Sequence, residues 1–239
     1  MGGYEPLNIL KPVGDDIWIV DGPSIKFYKL PFTTRMTVVR LQNGDVWVHS
    51  PTKICDDLKD QIDALGPVRH LIAPNWIHYA HISEWQQAFK DARAYAAPGV
   101  VKRAKKHGVV IRFDEDLSDE PAQAWDGQIK QMIVQGSKVH REAVFFHNSS
   151  KTLILTDLIE NFEAGKLPWY LKLLTRLGGI QDPDGKMPRD MQMTFTKRKL
   201  RSAVKQMIDW GPQRIILAHG RWYDKDGVAE LKRAFRWVL

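Results

Sequence analysis

The chain has 239 residues, enough for one sizeable core and slightly too few for two comfortable ones. Apolar residues are 44% and charged residues 26%, which excludes a disordered chain, and no apolar run approaches a membrane span. The single cysteine, Cys55, excludes an internal disulfide and a cysteine-rich metal cage, and the formal charge of +7 favours anionic partners: nucleic acid, membrane surface or a negatively charged small substrate.

Residues 1–10 carry no basic stretch followed by an apolar core, and Pro6 breaks the myristoylation pattern that Gly2 would open, so the cytoplasm is the expected compartment. Strands are predicted over 16–20, stopped by Asp21-Gly22-Pro23, and over 25–29. Two more, 36–41 and 45–49, flank Gln42-Asn43-Gly44, an Asn-Gly hairpin signal. An amphipathic helix over 56–65 stops at Gly66-Pro67, and an apolar strand follows over 68–73. Then come a helix over 83–92, a strand over 94–97 and a basic helix ending at Lys106.

The second half repeats this order. Strands are predicted over 128–134, 142–146 and 151–156, helices over 168–177 and 197–210, a strand over 214–217 and a last helix to the C-terminus. The order of elements repeats without a residue-level repeat, and no internal linker or low-complexity tract interrupts it, so one domain over 1–239 is expected. Such strands are buried when two mixed sheets pack together with helices outside, an α/β fold with αββα layers. Residues 178–193 lack a clear period and read as a lid, a binding loop or irregular surface. The basic run 197–205 carries Leu200 and Val204 at helical spacing, so a solvated helix face explains it better than nucleic-acid binding.

Several chemistries are missing. The chain has no Gly-x-Gly-x-x-Gly fingerprint, no phosphate loop and no Gly-x-Ser-x-Gly elbow, and Asp182-Pro183-Asp184-Gly185 lacks the spacing of a calcium loop. Cys55, without a His partner nearby in sequence, reads as a buried structural thiol. Trp85 and Trp210 lie on apolar helix faces and read as core.

Histidine carries the signal. His78 and His81 follow the strand over 68–73, His147 follows 142–146, His219 follows 214–217, and Asp157 follows 151–156. Side chains just past strand ends gather on one rim of a layered α/β domain, where sites are usually built. Imidazoles with one carboxylate are a natural ligand set for zinc, iron or manganese.

With these residues in order, the sequence resembles the metallo-β-lactamase-fold superfamily, in a branch of uncharacterised function. That family reads Thr-His-x-His-x-Asp-His after a strand, then a His, an Asp after the next strand and a late His-Gly; here stand Asn75-Trp76-Ile77-His78-Tyr79-Ala80-His81, Phe146-His147, Thr156-Asp157 and His219-Gly220. The resemblance implies the four-layer fold and a metal site built from His78, His81, His147, Asp157 and His219. One ion would sit on His78 and His147, a second on His81 and His219, with Asp157 bridging and a shared hydroxide as nucleophile. The chain departs from the pattern at Trp76, where the first His would be, and at Ala80, where the Asp would be. His49 stands where the family usually has an Asp supporting the ligands.

Three readings follow: a remodelled one- or two-metal hydrolase, a single redox metal on two His and Asp157, or a relic binding or scaffold protein without bound metal. The first leads, with zinc as the expected ion, iron or manganese as alternatives, and a small, anionic substrate; no membrane partner is expected. The third predicts the Trp76 side chain inside the metal cavity. Arg221 and Tyr223, after His219-Gly220, are candidates to hold an anionic or aromatic part of a substrate.

Overall fold

The computed structural model describes residues 4–27 and 30–239. Gly2, and Tyr28 and Lys29 at the end of the strand expected over 25–29, lie outside the described residues. β1 (Lys11–Gly14), β2 (Ile17–Phe27), β3 (Leu30–Arg40) and β4 (Val46–His49) form an antiparallel meander, to which β5 (Val68–Ala73), β6 (Arg93–Ala96) and β7 (Glu115–Asp116) add in parallel. Three helices make the crossovers: α1 (Asp56–Asp63), α2 (Ile82–Ala88) and α3 (Val100–Lys106).

The second sheet has the same logic with fewer strands. β8 (Ile129–Val134), β9 (Glu142–His147) and β10 (Thr152–Ile154) are antiparallel, and β11 (Arg214–Ile216) lies parallel to β10. The connection between β10 and β11 carries α4 (Trp169–Gly178), α5 (Arg189–Gln192) and α6 (Lys197–Asp209), and α7 (Gly227–Ala234) closes the chain. The sheets are mixed and lie between helices, the αββα arrangement expected from the order of elements.

Alternation along the strands sorts side chains between two cores. Ile129 and Ile133 of β8 and Ala143 and Phe145 of β9 join Val39 and Trp47 between the sheets. Their neighbours Met132, Val134, Val144 and Phe146 instead meet Leu200, Val204 and Met207 of α6 and Leu231 of α7. Phe145 sits edge-on to Trp47 at 5.1 Å between ring centroids, and burying one such side chain contributes about 1.5–3 kcal/mol. α6 buries Leu200, Ala203, Val204 and Met207, and its Arg198 and Lys199 stay in solvent, so the basic run is a solvated helix face. Trp85 is fully buried, and Trp210 is partly buried against Phe146.

Two expectations are corrected. The strand predicted to stop at Asp21-Gly22-Pro23 continues through it as β2, with a register shift between Gly22 and Ile25 that absorbs the proline. A Cβ at Gly22 would overlap Thr34 and Thr52, so the bulge needs glycine. Cys55 is exposed at the N-cap of α1, not buried. The Asn-Gly turn is as expected, with Gly44 at φ 88° and the Asn43 side chain accepting the Asp45 N–H at 3.0 Å.

Candidate metal centre

The loop after β5 is shaped by Asn75. Its Oδ1 accepts the backbone N–H groups of Ile77 at 2.8 Å and His78 at 3.0 Å, a local turn that brings His78 back to the rim. Its Nδ2 donates to Thr156 Oγ1 at 2.9 Å and to Asp157 Oδ2 at 2.7 Å. Thr156 and Asp157 follow β10, and their backbone N–H groups donate to the buried carboxylate of Glu142, at the start of β9, at 2.7 and 2.9 Å.

His219 follows β11 and is fixed from β3. Its Nδ1 lies 2.8 Å from the Thr33 carbonyl oxygen. Two residues on, Arg35 donates to the carbonyls of Leu217 at 2.7 Å and Gly220 at 2.8 Å, and pairs with buried Asp21 at 2.7 Å. Gly220, at φ 88°, lies against the Asn161 backbone carbonyl where no Cβ fits.

These supports make three ligand atoms converge. His78 Nε2 and His219 Nε2 each lie 3.2 Å from Asp157 Oδ1. A carbonyl only accepts, so His219 Nδ1 carries the hydrogen, and in the neutral imidazole Nε2 holds its lone pair toward Asp157. Ser50 Oγ lies 2.6 Å from His78 Nδ1 and anchors that ring from outside; with the Ser50 oxygen accepting, His78 Nε2 also holds its lone pair toward Asp157. Two lone pairs facing one carboxylate oxygen repel unless protons or a cation lie between them. Outer partners on Nδ1 and ligand lone pairs on Nε2 are the arrangement of metal-binding histidines, so the donor set fits a divalent cation. When protons rather than a cation lie between the imidazoles and Asp157, the rings are charged. Burial by itself would raise the Asp157 carboxyl, but the charge and hydrogen bonds of His78 and His219 outweigh it and hold it well below the usual carboxylate range. Against the effect of burial, Asp157 in turn pushes the His219 pKa up.

Of the residues expected to bind metal, His78, Asp157 and His219 are brought together. His81 lines the same cavity, but its Nδ1 faces Glu84 at 3.3 Å and it lies outside the converging set. His147 is corrected outright. β9 runs antiparallel to β10, so His147 pairs with Thr152 at the start of β10, whereas Asp157 lies beyond its end. At the start of β10, His147 is held by Ser150 Oγ at 2.8 Å.

His49 is buried near His78, stacked on Trp47, and burial pulls its pKa down to about 3, so it is a neutral ring. Trp76 turns away from the site and donates to the Pro98 carbonyl at 2.8 Å, packed over Gly99. It does not fill the cavity, contrary to what the relic reading requires. Arg221 and Tyr223 are also absent from the cavity lining: Arg221 is 3.7 Å from Asp182, and the Tyr223 hydroxyl accepts from Arg233 at 2.9 Å.

The residues missed by sequence are Ser50, Asn75, His140, Glu142 and Glu160. His140 precedes β9 and therefore reaches the rim that His147 does not; its Nε2 faces Glu142 Oε2 at 3.2 Å, and the two form a second cluster with Asp157. The antiparallel order of β9 and β10 was the available signal. The cavity over the site measures about 780 Å³. Its lining combines Phe32, Ile77, Leu174 and Ile180 with Glu160 and Asp190, and among the described residues it includes no Lys or Arg. Burial pushes the Glu160 carboxyl up to about 7.

The fold has close counterparts among solved structures. The DIM-1 metallo-β-lactamase superposes with a TM-score of 0.67 at 14% identity, each chain 97% covered. VMB-1 gives 0.67 at 11% identity over 96% of this chain and 95% of that one. A metallo-β-lactamase from Pontibacter korlensis gives 0.64 at 10% identity over 95% and 98%. Identities this low establish a shared fold alone. No curated protein matches by sequence. Residues 14–175, well over half of the chain, match the family described as "Domain of unknown function (DUF4336)". The chain belongs to that family and has the metallo-β-lactamase fold.

Proposed function

We propose that the chain is a metal-dependent hydrolase with one principal ion held by His78, Asp157 and His219. The observation that carries this reading is the convergence of two Nε2 atoms on one Asp157 oxygen, with the opposite ring nitrogens anchored at Ser50 and Thr33. Zinc suits these donors, and iron and manganese accept the same set. A bound divalent ion supplies Lewis acidity and a nucleophilic water at neutral pH. Asn75 orients Asp157 through Oδ2 and leaves Oδ1 for the ion. His140, braced by Glu142 on the cavity wall, is placed to hold or pass a proton.

The cavity also bears on the substrate. A largely apolar lining with three carboxylates, Asp157, Glu160 and Asp190, and, among the described residues, no Lys or Arg suits an uncharged, largely apolar ester or thioester better than the anionic substrate or nucleic acid suggested by the +7 charge. The test is a hydrolysis screen of protein reconstituted with zinc, iron or manganese against neutral esters, thioesters and phosphodiesters, beside Asp157→Ala. Turnover of a neutral substrate that chelation and Asp157→Ala both abolish supports the reading. Turnover that survives both overturns it.

A further inference from the structure

The exposed side chains of α4 are unlike those of any other helix described. Trp169 is 79% exposed, Tyr170 41%, Leu173 55%, Leu174 48% and Leu177 60%. At about 100° per residue these five fill one continuous arc of roughly 140°. Leu171 and Thr175 are buried on the opposite side, and exposed Lys172 and Arg176 form one edge of the apolar arc. Among the described residues neither Lys172 nor Arg176 makes an ion pair. An apolar face this wide, left in water, marks a contact surface.

We propose that α4 seats on an anionic lipid surface. Leucines on one arc, Trp and Tyr at the N-terminal end and cations along the edge are the composition of a helix lying in a membrane interface. The charge decides between occupants. In an antiparallel pairing with a second copy, the edge of Lys172 and Arg176 meets the same edge of its partner, like charge against like. An anionic headgroup layer attracts both, and the +7 chain with them. Leu174 and Gly178 also line the cavity, whose rim carries Val139 at 59% exposure, so the apolar helix face runs into the cavity mouth. A chain seated in this way draws an apolar substrate from the lipid without crossing water. No helix among the described residues is long and apolar enough to cross a membrane. The expectation of no membrane partner rests on the shortness of the apolar runs in the sequence, and neither observation bears on a helix lying in the surface.

The test is co-sedimentation of the full chain with vesicles of phosphatidylcholine alone and of phosphatidylcholine with about one part in three phosphatidylglycerol. The expected result is binding to the anionic vesicles only, weakened as salt rises. Leu173→Glu with Leu177→Glu should reduce partitioning at least about tenfold, because charges replace the inserted arc. Lys172→Glu with Arg176→Glu should reduce it by more than tenfold, since each cation near such a surface is worth about fivefold. All four side chains are exposed, so circular dichroism and melting should match wild type; if the glutamate pair misfolds, Leu173→Ala with Leu177→Ala replaces it. Absence of binding to anionic vesicles overturns the proposal, as does binding that neither pair of substitutions reduces. A dimer in sedimentation velocity that Leu173→Glu with Leu177→Glu dissolves, with no vesicle binding, assigns the face to a second copy instead.

Discussion

Asn75 and Asp157 divide one carboxylate between two tasks: the Asn75 amide takes Oδ2 at 2.7 Å, and Oδ1 is left facing two imidazoles. The same amide, through its oxygen, shapes the turn that delivers His78. One side chain therefore positions two of the three proposed ligands. Asn75→Ala leaves a buried carboxylate oxygen and two backbone N–H groups without a partner, which should cost about 1–3 kcal/mol in urea unfolding. Zinc affinity by isothermal titration should fall roughly 10–100-fold, the usual effect of losing a group that orients a ligand. Unchanged affinity would show that Asp157 needs no such support.

Arg35 and Asp21 form a buried pair that also holds the carbonyls on either side of His219. Arg35→Met strands a buried carboxylate with Lys11 as its remaining partner and should destabilise the chain by about 3–5 kcal/mol. Replacing both, Arg35→Met with Asp21→Leu, should recover part of that loss in the same denaturation experiment. An equal loss in the double variant would place the energy in the carbonyl contacts alone.

Gly220→Ala adds a Cβ against the Asn161 backbone at a left-handed φ of 88°. Neither backbone segment can yield cheaply, because Asn161 also accepts from Arg221 N and donates to His219 O. A loss of at least about 2 kcal/mol is expected by thermal or urea unfolding. A neutral substitution would mean that the loop has room to shift.

Away from the site, His70 is buried beside Tyr95 and Trp125, and burial pulls its pKa down from 6.5 to about 4. Between those values the unfolded chain binds the extra proton and the folded chain does not, so stability is full above about pH 6.5 and falls as the pH is lowered toward 4. From pH 7 to pH 5 this residue should account for about 2 kcal/mol. His70→Gln should flatten that part of the urea-midpoint profile, and an unaltered slope would assign the acid sensitivity elsewhere.

Periodicity located most of the fold, because strands such as Val68–Ala73 and helices such as Lys197–Asp209 declare themselves by local pattern. The site was only half legible for a topological reason. The rule that functional residues follow strand ends holds for β5, β10 and β11, which run the same way, and fails for β9, which runs against them. His147 was therefore expected at the rim and His140 was not. Trp76 was read from a motif position, but whether its ring enters the cavity depends on the Pro98 carbonyl, twenty-two residues away. Glu142 acts through long-range hydrogen bonds to the amides of Thr156 and Asp157, which leave no mark in local sequence.

The most direct test of the central claim is the metal content, by elemental analysis, of untagged chain after reconstitution with zinc. About one ion per chain is predicted for wild type and His147→Ala, with loss in His78→Ala, Asp157→Ala and His219→Ala. An absence of metal in wild type, or a loss in His147→Ala as complete as in Asp157→Ala, would contradict the site as assigned.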